Sequence, residues 1–200
     1  MTKRRSYIIA LSGKRFAGKD TFADALIARL HALGVSLPKG AFATECKRAF
    51  AEDEHTQGRE VDVNRLLNER AYKEQLRPTL TAFTERSLAQ DSLVFVRGVL
   101  ARFAPFGCGL ISDLRLQLEL DFLRQHTQLL SVRLERSDQH REESGWRFTP
   151  GTDDHRTETE LDHEKSWGLV LSNDGSLDEW KAQAEELAAR VYQELSASPV

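Results

Sequence analysis

The chain has 200 residues, of which 40% are hydrophobic and 30% are charged, and its net charge is −3. This length and apolar content are enough to bury a sizeable core, most simply as one domain spanning residues 1–200. The slight negative charge excludes a generally basic surface for nucleic acid, so any anion-binding site must be local.

We expect the N-terminal stretch to be a solvated tail rather than a targeting or membrane signal. The basic stretch Lys3–Arg5 precedes an apolar run of only five residues, which is too short for a signal-peptide core or a membrane span. Cys46 and Cys108 have no metal-type spacing, and we interpret each as a small buried residue rather than a ligand or half of a disulfide. We therefore expect a cytoplasmic protein with no membrane partner.

The first predicted elements are a buried strand, Tyr7–Leu11, a glycine-bracketed turn over residues 12–21, and then a helix. This order is typical of a phosphate-binding loop. Gly13 and Gly18 let the backbone N–H groups approach a polyphosphate, because neither carries a Cβ. Lys19 is expected to reach the transferred phosphate, and the helix that follows adds its positive N-terminal dipole.

The residues after the loop lysine bear on magnesium. A serine or threonine hydroxyl usually ligates the ion at this position, but here Asp20 follows Lys19 and Thr21 comes one place later. We expect Asp20 to hold the ion through water.

The region that follows is predicted to be a short strand, Gly40–Thr44, and then a polar, mainly helical stretch to about residue 92. Lys73 and Arg77 are four residues apart there, so both fall on one helix face. An anion between them would offset their repulsion. The alternative is an ordinary solvated face, neutralised by neighbouring glutamates.

Two further apolar runs are predicted to be strands. Leu93–Arg97 ends in a cation, and Cys108–Asp113 ends in an acid. Ligands gather at the carboxyl ends of parallel strands, which favours both terminal residues as site residues. Asp113 would then be a second anchor for magnesium and its water shell; the alternative is a helix cap.

The C-terminal half continues the alternation with a helix over residues 116–123, a strand over 129–134, a strand over 167–171 and a last helix after the capping box at Ser176. Between the strands predicted over 129–134 and 167–171, residues 136–160 lose the apolar pattern and carry arginines, which is typical of a mobile lid. The alternative is a long surface loop. The alternation as a whole predicts an α/β fold, with a central parallel sheet and helices on both faces.

Four strings carry a family resemblance: Ser12–Asp20 (Ser-Gly-Lys-Arg-x-x-Gly-Lys-Asp), Tyr72–Arg77, Ser112–Arg115 and Gly145–Asp154 (Gly-Trp-x-Phe-Thr-Pro-Gly-x-Asp-Asp). On these the chain resembles the animal-type phosphomevalonate kinases from about Leu11 to Leu195. The resemblance implies a three-layer P-loop kinase fold with an acceptor-binding helical region at about 45–92 and a lid at about 136–160. That family also has an aspartate after the loop lysine.

The resemblance further implies transfer of the γ-phosphoryl group of ATP, with Mg²⁺, to the phosphate of 5-phosphomevalonate. The residues it assigns to catalysis are Lys14, Arg15, Lys19, Asp20, Arg115 and Arg141. The residues it assigns to the nucleotide are Gly13, Lys14, Arg15, Gly18, Lys19, Asp20, Thr21, Arg133, Arg141 and, near the adenine, Asn173. The residues assigned to the acceptor are Lys73, Arg77, Arg97, Asp113, Arg115 and Trp146. Asp20 and Asp113 are assigned to the metal, through water.

The chain departs from the family pattern at Leu88, Leu116 and Ser144, where that pattern has cations. The acceptor could therefore be a nucleoside monophosphate or another small phosphorylated metabolite. From a different class, the chain could be a non-catalytic nucleotide-binding regulator, although its loop is intact. A guanine-reading Asn-Lys-x-Asp motif is absent from the sequence. We expect a small phosphorylated metabolite as partner, and a monomer.

Overall fold

The computed structural model describes residues 5–197, which form two compact units. The sheet unit contains the described residues up to Lys39 together with those from Phe103 onward, and the helical unit is Gly40–Arg102. The expectation of a single domain stays a prediction. Of the N-terminal stretch Lys3–Arg5, only Arg5 lies within the described residues.

The sheet unit is built on five strands in the order β2-β3-β1-β4-β5. Their bounds are β1 Tyr7–Ser12, β2 Lys39–Gly40, β3 Cys108–Ile111, β4 Gln128–Glu135 and β5 Leu169–Ser172. β1 pairs in parallel with β3 and β4, and β4 pairs in parallel with β5. Every residue of β1 is buried, as expected for a central strand covered on both faces.

Helices flank this sheet, which confirms the predicted α/β class. They are α1 Lys19–Ala32, α6 Gln117–His126, α7 Asp138–Glu143, α8 Arg156–Thr159 and α9 Leu177–Ser196. α1 and α9 pack side by side, with the rings of Phe22 and Trp180 4.8 Å apart. The predicted capping box is present, since Ser176 Oγ accepts from Glu179 N and the Glu179 carboxylate accepts from Ser176 N.

The helical unit contains α2 Phe42–Thr56, α3 Val63–Asn68, α4 Arg70–Gln90 and all but the last residue of α5 Val94–Phe103. The strand prediction for Gly40–Thr44 is wrong beyond Gly40, because Phe42, Cys46 and Phe50 are buried at the i, i+4 spacing of one helix face.

The strand prediction for Leu93–Arg97 is also wrong. Phe95, Val96 and Val99 are buried at helical spacing, and Asp91 Oδ1 accepts from Leu93 N at 2.9 Å just ahead of the helix. Arg97 therefore lies within α5 rather than at the carboxyl end of a strand.

Residues 136–160 are not structureless. They contain α7 and α8, and Arg141, Trp146 and Asp153 are buried. The interpretation of this segment as a lid stays a prediction, but it carries a packed centre of its own.

Candidate functional site

The predicted phosphate loop lies between β1 and α1. Gly18 has a φ of +86°, a left-handed conformation that favours glycine. A Cβ there would also lie 2.4 Å from Asn173 Nδ2 and 2.9 Å from Trp180 Nε1. Those two groups hold the loop backbone, because Asn173 Nδ2 donates to Ala17 O at 3.1 Å and Trp180 Nε1 donates to Gly18 O at 3.2 Å. Gly18 is thus required by conformation and by space.

Gly13, the other bracketing glycine, is required by close approach alone. A Cβ at this position would lie 2.6 Å from the carbonyl oxygen of Leu134 on β4. Between the two glycines, Phe16 has a φ of +62°, which is strained for a residue with a side chain.

Lys19 folds back across the loop. Its Nζ donates to Gly13 O at 2.6 Å and to Lys14 O at 2.9 Å. Burial, assisted by the positive charge of Arg115, lowers the pKa of Lys19 to about 8. A polyphosphate beside this ammonium would stabilise its charged form and would raise that pKa again.

The cations around the loop are paired with carboxylates of the same unit. Lys14 Nζ lies 2.8 Å from Asp162 Oδ2, and Arg133 Nη2 lies 2.8 Å from Asp162 Oδ1. Arg133 Nη1 also donates to Ser12 Oγ at 3.1 Å. Arg115 pairs with Glu158. The structure therefore brings together Lys14, Lys19, Arg115 and Arg133, all of which the resemblance assigns to phosphate binding.

A second group of contacts joins residues 136–160 to the loop. Arg141 Nη1 donates to Arg15 O at 3.3 Å, and its guanidinium carbon lies 3.9 Å from the centre of the Trp146 ring. Trp146 Nε1 donates to Asp153 Oδ1 at 3.1 Å, and Arg15 Nη1 lies 3.2 Å from Asp153 Oδ2. Burial would raise the pKa of Asp153, but hydrogen bonds from Trp146 and Thr149 outweigh it, so this pKa lies below its ordinary value.

The residues assigned to the metal lie at the ends of two elements of this unit. Asp20 is exposed in the first turn of α1, and its Oδ1 lies 3.2 Å from Lys39 Nζ. Asp113 is half-buried just beyond β3, and Thr21 is exposed. Among residues 5–197, no three His, Cys, Asp or Glu side chains are grouped as a metal site. A magnesium ion here would accordingly take most of its ligands from phosphates and water.

A half-buried carboxylate lies beside these residues and was not predicted from the sequence. Glu119 Oε2 accepts from the backbone N–H groups of Arg115 and Leu116, each at 3.0 Å. Burial raises the pKa of Glu119 to about 7, with a further contribution from the charge of Asp113. Glu119 therefore holds the turn that presents Arg115. The only sequence signal for it is an acid in the first turn of a predicted helix.

A cleft of about 360 Å³ adjoins the loop, lined in part by Lys14, Arg133, Arg136 and Asp174. Arg136 Nη1 donates to Phe16 O at 3.4 Å. The Nε atoms of Arg136 and Arg141 are buried with no hydrogen-bond partner within the described part of the chain. Donors of this kind fit an anionic ligand.

The remaining predicted acceptor residues belong to the helical unit. Lys73 and Arg77 lie on α4, and Arg77 Nε donates to Glu74 Oε2 at 2.6 Å. Arg97, on α5, pairs with Asp91 and has its Nε 3.1 Å from Asp91 Oδ2. Both arginines therefore make ion pairs within this unit.

A lysine folded over a glycine-bracketed loop, at the carboxyl end of a central parallel strand and the start of a helix, defines a P-loop nucleotide-binding protein. In fold, the structure is similar to the crystal structure of a gluconokinase from Sinorhizobium meliloti 1021, with a TM-score of 0.51, 16% sequence identity, and coverage of 99% of this chain and 100% of that chain.

Residues 11–129, more than half of the chain, match the family model described as phosphomevalonate kinase, and the chain belongs to that family. It is also 28% identical over 184 residues to the phosphomevalonate kinase of Drosophila melanogaster. The matched segment covers 86% of this chain and 90% of the fly protein. In the described residues no helix is long and apolar enough to cross a membrane.

Proposed function

We propose that this protein transfers the γ-phosphoryl group of ATP to the phosphate of 5-phosphomevalonate, giving the diphosphate and ADP. The observation that carries the proposal is the family match over residues 11–129, which includes the complete phosphate loop and the helical unit.

The loop supplies positioning and charge rather than covalent chemistry. Phosphoryl transfer passes through a loose transition state, so cations aimed at the oxygens of the transferred group do most of the catalysis. Lys19 begins from a lowered pKa and would become fully charged against the phosphates. Arg115 and Arg133 would bind phosphate oxygens from the sheet, and the unpaired Nε of Arg141 would donate from the lid segment.

The cleft lined by Arg136 and Asp174 is the place we propose for the adenosine. Asn173, which the resemblance puts near the adenine, would act there indirectly, since its amide holds Ala17 O of the loop. Asp20 and Asp113 would hold Mg²⁺ through water. When bound, Mg²⁺ supplies neutralisation of the charge that develops on the phosphate oxygens.

The acceptor would bind through Lys73, Arg77 and Arg97. A phosphate acceptor is already ionised near neutral pH, so it needs no general base. On the acceptor side, cations that hold the phosphate and carboxylate are therefore enough, without a general base. Arg77 and Arg97 would exchange their present carboxylate partners for those anions.

The test is an ADP-release assay with ATP, Mg²⁺ and a panel of acceptors: phosphomevalonate, mevalonate, the nucleoside monophosphates and small phosphorylated acids. We expect kcat/KM to be highest for phosphomevalonate. A higher kcat/KM for a nucleoside monophosphate than for phosphomevalonate would contradict the assignment of the acceptor. ADP release that is independent of every acceptor would contradict phosphoryl transfer to a metabolite.

A further inference from the structure

The C-terminal half of the lid segment carries carboxylates that contact the phosphate-binding cations. We call residues 153–162 the acidic arm. Three of its carboxylates, those of Asp153, Glu158 and Asp162, each contact cations around the loop. Their side chains are shielded from solvent, with exposed fractions of 6%, 7% and 26%.

Glu158 makes the contacts that a phosphate group would make. Its Oε2 accepts from the backbone N–H of Arg15, inside the phosphate loop, at 3.1 Å. Its Oε1 pairs with Arg115, and its charge also acts to raise the pKa of Lys19. A loop N–H, a guanidinium and a nearby ammonium around one anion are the surroundings that P-loops give to phosphate oxygens.

Asp162, four residues further along the chain, also pairs with cations of the site. Its two oxygens lie 2.8 Å from Lys14 Nζ and 2.8 Å from Arg133 Nη2. One carboxylate therefore bridges two cations, as a phosphate with several free oxygens also does. The same atoms of Lys14 and Arg133 cannot bind a phosphate at full strength while they hold Asp162.

We propose that the acidic arm is an internal substitute for phosphate. Its carboxylates form ion pairs with the cations of the phosphate site, and substrate phosphates bind by displacing Glu158 and Asp162. The inference rests on the proposed function, because it takes the loop cations to be the phosphate site. The arm keeps the cations in place and paired, and it makes weakly charged anions poor competitors for the site.

The neighbouring Glu160 provides a matched control. It follows α8, in which Glu158 lies, but it pairs with Arg156 and accepts from Gln117 N at 2.8 Å, and it contacts none of the loop cations. Removing its charge should leave the phosphate site unchanged.

The test is the binding of inorganic pyrophosphate by calorimetry to the full chain and to the isosteric variants Glu158→Gln, Asp162→Asn and Glu160→Gln. We expect each of the first two to bind pyrophosphate about tenfold more tightly than the parent, because a competing charge-assisted bond is lost. Glu160→Gln should bind it like the parent. Equal or weaker binding in both Glu158→Gln and Asp162→Asn would overturn the proposal and would leave these carboxylates as supports for the arginines.

Hydrogen exchange of the parent gives a second measurement that does not depend on a variant. Pyrophosphate should increase exchange in residues 155–162, whereas increased protection there would count against displacement. Failure of the proposed function is distinguishable, since neither measurement involves turnover. Displacement without phosphoryl transfer in the ADP-release assay would overturn the function alone, and transfer without displacement would overturn this inference alone.

Discussion

In the sheet unit, three side chains hold the backbone of the phosphate loop. Asn173 and Trp180 hold the loop carbonyls, and Lys19 bridges two more of them. In the helical unit, by contrast, Arg77 and Arg97 pair with a carboxylate three or six residues away on an exposed surface. The first arrangement is preorganised for one ligand shape, and the second leaves cations that a ligand can recruit.

This contrast predicts that substitutions in the sheet unit act on catalysis and on the loop itself, whereas substitutions in the helical unit act on acceptor affinity alone.

The largest effect is expected for Lys19→Ala. Removal of a cation aimed at the transition state should lower kcat by about 10²- to 10³-fold, with the protein still folded. Lys181→Ala, an exposed lysine on α9, is the control. Turnover near that of the parent in a folded Lys19→Ala protein would contradict the role of the loop.

Asn173→Ala tests whether the Asn173 amide stabilises the backbone of the phosphate loop. It leaves the buried carbonyl of Ala17 without its partner, so we expect a loss of about 1 to 3 kcal/mol in unfolding free energy together with weaker nucleotide binding. Asn68→Ala removes an exposed amide that donates within α3, and it should change neither. Equal unfolding free energies and equal nucleotide affinities of the two variants would contradict the prediction that substitutions in the two units have different effects.

Arg77→Ala tests the helical unit. We expect KM for the acceptor to rise about tenfold or more, with KM for ATP and the stability unchanged because the Arg77–Glu74 pair is exposed. Arg86→Ala is the control, because Arg86 lies on the same helix and its Nη2 is 3.7 Å from Asp53 Oδ2. A change in KM for ATP would show that the two units do not divide the substrates in this way.

The double variant Leu116→Arg/Ser144→Arg addresses the cations that this chain lacks relative to the family pattern. Leu116 is half-buried just before α6, and Ser144 is exposed just after α7. If the missing cations limit acceptor binding, kcat/KM for phosphomevalonate should rise about tenfold. High parental activity that the arginines do not improve would mean that the present cations suffice.

The smallest expected effect is a pH dependence of nucleotide binding through Lys19. Its pKa of about 8 in the free site should rise against phosphates, so binding takes up a proton and weakens as the pH increases above 8. The affinity for a non-hydrolysable ATP analogue should fall about threefold between roughly pH 7.5 and 8.5. Lys19→Arg, which stays charged, should lack this slope, and an unchanged slope would assign it to another group.

The sheet unit was largely predictable, because its chemistry is local in the sequence. The strand at Tyr7–Leu11, the bracketing glycines and Lys19 stand within a short stretch, and β3, β4, β5 and α9 follow from apolar runs with clear ends. The short runs of the helical unit were not predictable in this way. Leu93–Arg97 is a short, continuous apolar run that fits a buried strand as well as a buried helix, and the burial of Val99 in the following turn reveals the helix.

The partners of the site residues could not be predicted from the sequence. Glu158 and Asp162 lie more than a hundred residues from Arg15 and Lys14, and nothing in the spacing of acids within a polar segment selects those two from their neighbours. Trp180 lies in the predicted last helix, but nothing in the sequence marks it as a partner of the loop. Its bond to Gly18 O depends on how α9 packs against α1.

Phosphoryl transfer from ATP to 5-phosphomevalonate can be observed directly by ³¹P NMR of a mixture of the protein, Mg²⁺ and the two substrates. We predict that the phosphomonoester signal is replaced by the pair of signals of a diphosphate ester as ATP is converted to ADP, and that Lys19→Ala leaves the spectrum unchanged over the time in which the parent completes the conversion. Conversion of ATP to ADP and inorganic phosphate, with the phosphomonoester signal intact, would contradict this transfer.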